Sequence, residues 1–323
     1  MDLLAWSDSL KERYLSQISD ELRPVTKSIL YSFKKYEMQF GVPLHYFTKN
    51  QYEISMNGWA KKSTFFSNRT RVGKYLEWLE LERIPTTIGS FQLVKYTSTQ
   101  LFASVSTLFR SLQELYDAIY ALYFAGEEEY SSTVQEGTVI ILKMLGLSSW
   151  EISQLKEEDV LFDRAEIKSE NKTISEIPEE FLELIGICMD LKGRYARNMY
   201  TSKTLTFENP TDVRYLIKQI KITENRDDFF IGNMMKRATR IWKESAYGQK
   251  RSIMGRDICH SYLFCRLHQY EKEHPFKEEF SEEQYSKVAK LIEHWSVVRL
   301  NSLTMKRNFF YEYVCWRAII SRE

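Results

Sequence analysis

Lysine and arginine are concentrated in three stretches of this 323-residue sequence. Side chains of this kind, when clustered, can bind the phosphate groups of a polyanion. Residues 60–75 carry a charge of +5, residues 191–207 carry +4, and residues 234–256 carry +6. The whole chain carries only +1, so the remainder carries −14. This segregation predicts basic surfaces that face a polyanion and acidic surfaces that keep the protein in solution. The candidate contacts are Lys61, Lys62, Arg69, Arg71, Lys74, Arg194, Arg197, Lys203, Lys236, Arg237, Arg240, Lys243, Arg251 and Arg256.

The competing interpretation of each stretch is a solvated helix face, which is the commoner outcome for one basic stretch alone. Three such stretches in a nearly neutral chain favour the interpretation that these residues bind a polyanion. The last stretch also has helical amphipathicity. Lys236, Arg240 and Lys243 recur at i, i+4 and i+7, and we expect Met235, Ala238 and Ile241 to turn toward the core.

A second candidate site is the run CHSYLFCRLH, which places Cys259, His260, Cys265 and His268 close together, as in some zinc sites. On a helix, however, residues 259 and 265 lie about 240° apart, and no second ligand pair of finger spacing follows. We therefore interpret these residues as core packing and predict no metal and no other cofactor. The four cysteines show no paired framework and are expected to be reduced.

Length and composition indicate an ordered globular protein. The chain has 43% hydrophobic and 14% aromatic residues with few glycines and prolines, and its length suits two domains. No apolar run approaches the roughly 18 residues of a membrane span. The N-terminal sequence MDLLAWSDSLKERY becomes charged too early for a secretory signal, so we expect a cytoplasmic, nucleoid-associated protein.

The first part of the chain reads as a small helical domain. Apolar spacing predicts a helix from about residue 25 to residue 40 that stops at Gly41. Thr48 is placed to cap a second helix and Ser67 a third. In the third helix Val72, Leu76 and Leu79 form an apolar stripe, with Arg69 and Arg71 facing outward in the first turns.

Residues 81–98 break the helical pattern and give the domain boundary. We predict an N-terminal helical domain at residues 1–90 and a larger domain at 91–323. The larger domain is expected to open with helices near 98–124 and 131–145, separated by an acidic turn at 126–129. The run DVLFDRAEIKSENKTISEIP predicts a small antiparallel sheet, Pro178 begins another helix, and the remainder is mostly helical.

Two motifs resemble the boxes of the tyrosine recombinase family, which includes phage integrases. The family pattern Gly-Leu-Arg-x-Ser-Glu-Leu-x-x-Leu-x-x-x-Asp-Ile is matched in register by Gly146, Leu147, Glu151, Ile152, Leu155, Asp159 and Val160. The second box, His-x-Leu-Arg-His-Ser/Thr-aromatic, resembles residues 256–262. The resemblance spans residues 20–310. It implies a mainly α fold with an N-terminal SAM-like core-binding domain and a recombinase-like C-terminal domain that carries a small antiparallel sheet.

The same resemblance shows where this chain departs from the family. Ser148 and Cys259 stand at the two arginines that stabilise charge on the phosphate, and Arg256 stands at the histidine of the second box. His294 matches a later histidine. The nucleophilic tyrosine normally follows that histidine by about nine residues, which falls on Leu303. The resemblance therefore implies a fold without strand-cleavage chemistry.

A protein that clamps DNA without cutting it is most readily a regulator. Within the family the chain resembles recombinase-derived repressors that maintain prophage lysogeny, so we expect a transcriptional repressor that binds double-stranded DNA and is not an enzyme. One alternative is a diverged, active recombinase that uses Tyr311 or Tyr313. Another is a protein-interaction module that has lost DNA binding. A regulatory protein or peptide-responsive antagonist is left open as a further partner.

Overall fold

The computed structural model describes residues 3–124, 133–170, 172–191, 193–197, 202–206, 213–219, 228–276 and 281–321. The chain divides into two compact units, Met1–Val105 and Ser106–Glu323, whereas the sequence placed the boundary at residue 90. In the described part of the chain, no helix combines the length and apolarity needed to cross a membrane.

The N-terminal unit is built from seven helices. They are α1 Leu3–Leu15, α2 Arg23–Ser32, α3 Lys34–Phe40, α4 Lys49–Met56, α5 Lys62–Leu81, α6 Ile88–Gln92 and α7 Ser98–Val105. The predicted helix over residues 25–40 is two helices, because the chain breaks at Phe33, which packs in the core. Gly41 ends α3 with a left-handed φ of 69°, as a C-terminal glycine does. Thr48 caps α4 as predicted, in a reciprocal capping box with Gln51.

The prediction that Ser67 caps the third helix is wrong. Helix α5 begins at Lys62, five residues earlier, with Phe65 buried in its first turn. Ser67 lies inside the helix, where it contacts the Arg71 side chain. The predicted stripe of Val72, Leu76 and Leu79 is fully buried.

The segment after α5 belongs to the N-terminal unit. Phe91 of α6 and Val94 join its apolar core. The Gln100 amide on α7 donates to the carbonyl oxygen of Met56, at 3.0 Å. These contacts explain why the division falls after α7 and not at the break in helical pattern.

The C-terminal unit surrounds one buried helix. Its helices are α8 Leu112–Tyr123, α9 Val134–Met144, α10 Ser149–Gln154, α11 Glu179–Met189, α12 Asp228–Glu244, α13 Gly255–Glu273, α14 Glu282–Trp295 and α15 Leu303–Ile320. Nearly every residue of α9 is buried, because α8, α11, α12 and α13 all pack on it. The predicted stretch 98–124 is two helices, and the acidic turn at 126–129 lies outside the described residues.

The small antiparallel sheet is confirmed, with strand order β1 Val160–Leu161, β2 Glu166–Ser169 and β3 Lys172–Ile174. Its register aligns Val160, Ile167 and Ile174 across the three strands, and all three are buried. The sequence did not predict the second ladder, in which β4 Gly193–Arg197 pairs antiparallel with β5 Ser202–Thr206. The prediction of a mainly helical chain with a small antiparallel sheet is confirmed.

Gly137 of α9 fits only as glycine. A Cβ added there would lie 2.2 Å from ring carbons of Tyr123, a fully buried side chain whose hydroxyl hydrogen-bonds Thr138. We expect Gly137→Ala to lower the free energy of unfolding by about 1–3 kcal/mol, since overpacking of a core costs that much. Gly186→Ala on α11 is the control, because its Cβ meets only ordinary contacts at 3.7 Å. Equal denaturant midpoints for the two variants would contradict this account.

Candidate nucleic-acid interface

Helix α12 separates its side chains into a buried and an exposed face. Ile231, Met234, Ala238 and Trp242 are buried against the unit. The register differs from the predicted one, since Met235 and Ile241 are only half-buried and Met234 and Trp242 take the core positions. Lys236, Arg240 and Lys243 are exposed, as predicted. Among the described residues, no carboxylate lies within ion-pairing distance of these three cations.

Two uncharged residues extend the exposed face of α12. Phe229 is 69% exposed, and the Lys236 ammonium lies 5.7 Å from the centre of its ring. Asn233 is exposed one turn further along. Sequence reasoning missed both because it counted only charge. Their spacing could have revealed them, because residues 229, 233, 236, 240 and 243 lie along one face of a helix.

Two of the predicted contacts are used inside the unit. Arg237 pairs with Glu136, whose carboxylate is buried. The Arg251 side chain is 8% exposed, and its Nε donates to Glu114 Oε1 at 2.7 Å. A second Arg251 nitrogen donates to the carbonyl oxygen of Ser106, at 3.3 Å. We therefore leave Arg237 and Arg251 out of the interface.

The basic residues of α5 are less uniform than the sequence suggested. Arg69 stacks over the Phe91 ring at 5.4 Å and donates to the carbonyl oxygen of Gln92 at 2.9 Å, so it ties α5 to α6. Arg71 donates to the carbonyl oxygen of Ser67 on its own helix, at 3.2 Å. Both lie beyond the first turn, because α5 starts at Lys62. Lys61 and Lys74 are exposed and Lys62 is half-buried.

Three basic residues of the stretch 191–207 lie in the ladder formed by β4 and β5. Arg194 and Arg197 are on β4 and Lys203 is on β5. The register pairs Ala196 with Lys203 and Arg197 with Ser202. Arg197 and Lys203 are therefore diagonal neighbours across the ladder, although they lie six positions apart in sequence.

Ser148 is the N-terminal capping residue of α10, a role that serine performs well. Its hydroxyl accepts a hydrogen bond from the backbone N–H of Glu151 at 3.1 Å, and the Glu151 carboxylate accepts from the backbone N–H of Ser148 at 2.7 Å. This capping box begins α10. Glu151 also accepts from the Ser169 hydroxyl at 3.0 Å, which joins α10 to β2. An arginine at position 148 would lose the cap.

The side chains of Cys259 and Leu303 have no charged group that could bind a phosphate. Cys259 is buried within α13, and burial raises the pKa of its thiol to about 12, so the group stays neutral. Leu303 is the first residue of α15, directly after the capping residue Ser302. Neither side chain carries a charge.

Arg256, by contrast, is held in a closed set of three side chains. Its Nη2 donates to both carboxylate oxygens of Glu312, at 2.8 and 2.7 Å. Its Nε donates to His260 Nε2 at 3.1 Å, and His260 Nδ1 lies 3.3 Å from Glu312 Oε2. Since Nε2 accepts, the ring proton is on Nδ1 and His260 is neutral. Burial lowers the pKa of His260, in agreement with that state.

His294 also faces a carboxylate. Its Nε2 lies 3.2 Å from Glu176 Oε1. The other oxygen of Glu176 accepts from the Trp295 indole at 2.9 Å and from Arg266 at 3.0 Å. The hydrogen bond from Trp295 is the largest cause that lowers the pKa of Glu176, so the group is ionised. Arg256 and His294, which the sequence singled out by resemblance, therefore each lie against a carboxylate of the same chain.

The two tyrosines of the alternative hypothesis differ. Tyr313 is fully buried and donates its hydroxyl to Glu271, and burial raises its pKa strongly. That hydroxyl cannot reach a DNA strand. Tyr311 is exposed on the opposite side of α15. It is the one of the two that solvent and DNA can approach.

The four residues considered for zinc do not converge. Cys265 Sγ lies 3.8 Å from the carbonyl oxygen of Phe109, and His268 packs edge-on against Trp316. Across the described residues, no three histidine, cysteine or carboxylate side chains are grouped to hold a metal ion.

Among known proteins, similarity to this chain is found in solved structures. No family model matches the chain, and no curated protein matches it. Among solved structures, the chain is similar to the crystal structure of a lambda integrase (residues 75–356) dimer bound to a COC′ core site. The TM-score is 0.41 at 14% identity, over 96% of this chain and 95% of that one.

Proposed function

We propose that this chain is a sequence-specific DNA-binding transcriptional repressor that holds DNA with a recombinase-like clamp and does not cut it. The observation that carries the proposal is the exposed face of α12, where Lys236, Arg240 and Lys243 stand without carboxylate partners among the described residues. An amphipathic helix with one cationic face and one buried face presents its charge as a row that can follow a phosphate backbone.

The second part of the proposal is that this chain lacks the groups required for DNA strand cleavage. Removing one charge-stabilising donor from such a site costs on the order of 10²–10³ in rate. Here both arginine positions and the nucleophile position lack the required group, since Ser148 caps α10, Cys259 is buried and Leu303 is apolar. Loss of all three leaves no mechanism for strand cleavage.

The role of repressor comes from resemblance. The chain looks like the recombinase-derived master repressor of SPβ-type Bacillus prophages, which keeps lytic genes silent. The exposed Phe229 and Asn233 support sequence-specific binding, because an apolar group contacts the thymine methyl and an amide pairs with adenine. An active recombinase remains the second candidate, and the exposure of Tyr311 is the observation that favours it.

Incubation with suicide DNA substrates separates the two candidates. We expect no covalent protein–DNA adduct and no cleaved strand, because the groups that would stabilise the transition state are absent. A denaturing gel of the products makes the measurement, with Tyr311→Phe as the control. An adduct that disappears in Tyr311→Phe would establish a recombinase and exclude this proposal.

A further inference from the structure

The N-terminal end of α13, which carries Arg256, contacts α12 through Thr239. The Thr239 hydroxyl, between Lys236 and Arg240 in sequence, lies 3.3 Å from Met254 Sδ at the start of α13. Arg256 follows two residues later, and its side chain is 54% exposed. Unlike Lys236 and Arg240, it is paired with a carboxylate of its own chain.

We propose that Glu312 is an internal counterion that competes with a DNA phosphate for Arg256 and so sets the affinity of this chain for DNA. The inference rests on the proposed function and identifies a residue that limits it. A carboxylate and a phosphate bind a guanidinium in the same way, through two oxygens on N–H groups of its planar edge. Glu312 already occupies Nη2 with both oxygens, and His260 occupies Nε.

Charge makes the competition effective. Arg256 is positive, Glu312 is negative and His260 is neutral, so the set carries no net charge. A phosphate that approaches the exposed part of Arg256 also approaches the Glu312 carboxylate, which repels it. The Glu312 side chain is only 10% exposed, so solvent screens this repulsion less than it screens charges on the surface.

A purely structural role, a tie between α13 and α15, is the competing explanation. The same two helices hold a second carboxylate of this kind, Glu271, which accepts from Arg317 and from the Tyr313 hydroxyl. Its side chain is 11% exposed, close to that of Glu312. Glu271→Gln therefore matches Glu312→Gln in helices, burial and charge change, and it differs in leaving Arg256 paired.

The test is binding to a random-sequence DNA duplex of about 40 base pairs across a salt series, which reports phosphate contacts. Glutamine retains an oxygen that accepts from Arg256, so Glu312→Gln keeps the contact and removes the charge. We expect it to bind roughly fivefold tighter than wild type, with a log K against log salt slope steeper by about 0.9, which is one phosphate. Glu271→Gln should change neither quantity by as much as half of this.

A second variant keeps the test valid if Glu312→Gln folds poorly. The double substitution Arg256→Ala and Glu312→Ala removes a pair with no net charge, so affinity and slope should equal those of wild type. If Arg256 were an unopposed phosphate anchor, the double variant would lose about 0.9 of slope.

Three results would overturn the inference: no gain in Glu312→Gln, an equal gain in Glu271→Gln, or a lower slope in the double variant. A wild-type chain that binds no DNA at low salt would instead contradict the proposed function, and this inference with it.

Discussion

Alanine substitution of Lys236, Arg240 and Lys243 together is expected to weaken DNA binding on the order of a hundredfold near physiological salt. All three side chains are exposed on one face of α12, while the opposite face is anchored by Met234, Ala238 and Trp242. The helix should therefore stay folded and lose only its phosphate contacts. The log K against log salt slope should fall by about two to three units, since each lost contact contributes about 0.9.

The control for this triple variant removes equal charge elsewhere in the same unit. Lys272, Lys287 and Lys290 are exposed on α13 and α14, and their replacement by alanine gives the same change in net charge. We expect that control to keep the wild-type slope. If both triple variants lower the slope equally, the effect is one of net charge and α12 does not contact DNA.

Replacement of Glu37 by alanine should lower the free energy of unfolding of the N-terminal unit by about 3–5 kcal/mol, the usual cost of removing one partner of a buried ion pair. Glu37 and Lys11 are buried and paired. The Glu37 carboxylate also accepts from the Ser7 hydroxyl at 3.0 Å and from the backbone N–H of Leu44 at 2.7 Å. The substitution leaves the buried Lys11 ammonium with only the longer contact to Asp8, at 3.5 Å, whose side chain is 28% exposed.

The matched exposed pair is Glu12 with Lys27, whose atoms lie 2.8 Å apart and whose side chains are both half exposed. Glu12→Ala should cost less than about 1 kcal/mol, because solvent screens a surface pair. Thermal and denaturant unfolding of both variants measures the difference. Comparable losses for Glu12→Ala and Glu37→Ala would show that the buried network stabilises the unit no more than a surface pair does.

Sequence reasoning succeeded where neighbours along the chain determine structure. Thr48 caps α4 because its partner Gln51 is three residues away, and Gly41 ends α3 through its own φ. The small antiparallel sheet was predictable because its strands lie within fifteen residues of sequence, although the pattern indicated two β-like runs and the structure has three strands. The start of α5 was predicted too late because local sequence favours Ser67, a good capping residue. The residue that actually precedes the helix is Lys61, whose side chain makes no capping hydrogen bond, so no local signal marks it.

The candidate site depends on contacts that no local pattern encodes. Glu312 reaches Arg256 across 56 residues, and Glu176 reaches His294 across a still longer interval, so neither pairing was predictable. The same is true of Arg237 and Arg251, which count as surface cations in sequence and neutralise Glu136 and Glu114 in the fold. Charge clusters therefore predicted the exposed cations of α12 and overestimated how many of the neighbouring cations are free of internal carboxylates.

The most direct test of the central claim is affinity capture of fragmented genomic DNA from the organism that encodes this chain, followed by sequencing of the bound fragments and their ends. The account predicts a small set of recurrent sites in promoter regions with intact strands, and loss of these sites in the Lys236, Arg240 and Lys243 triple variant. Binding spread evenly over the genome, or strand breaks within the bound sites, would contradict it.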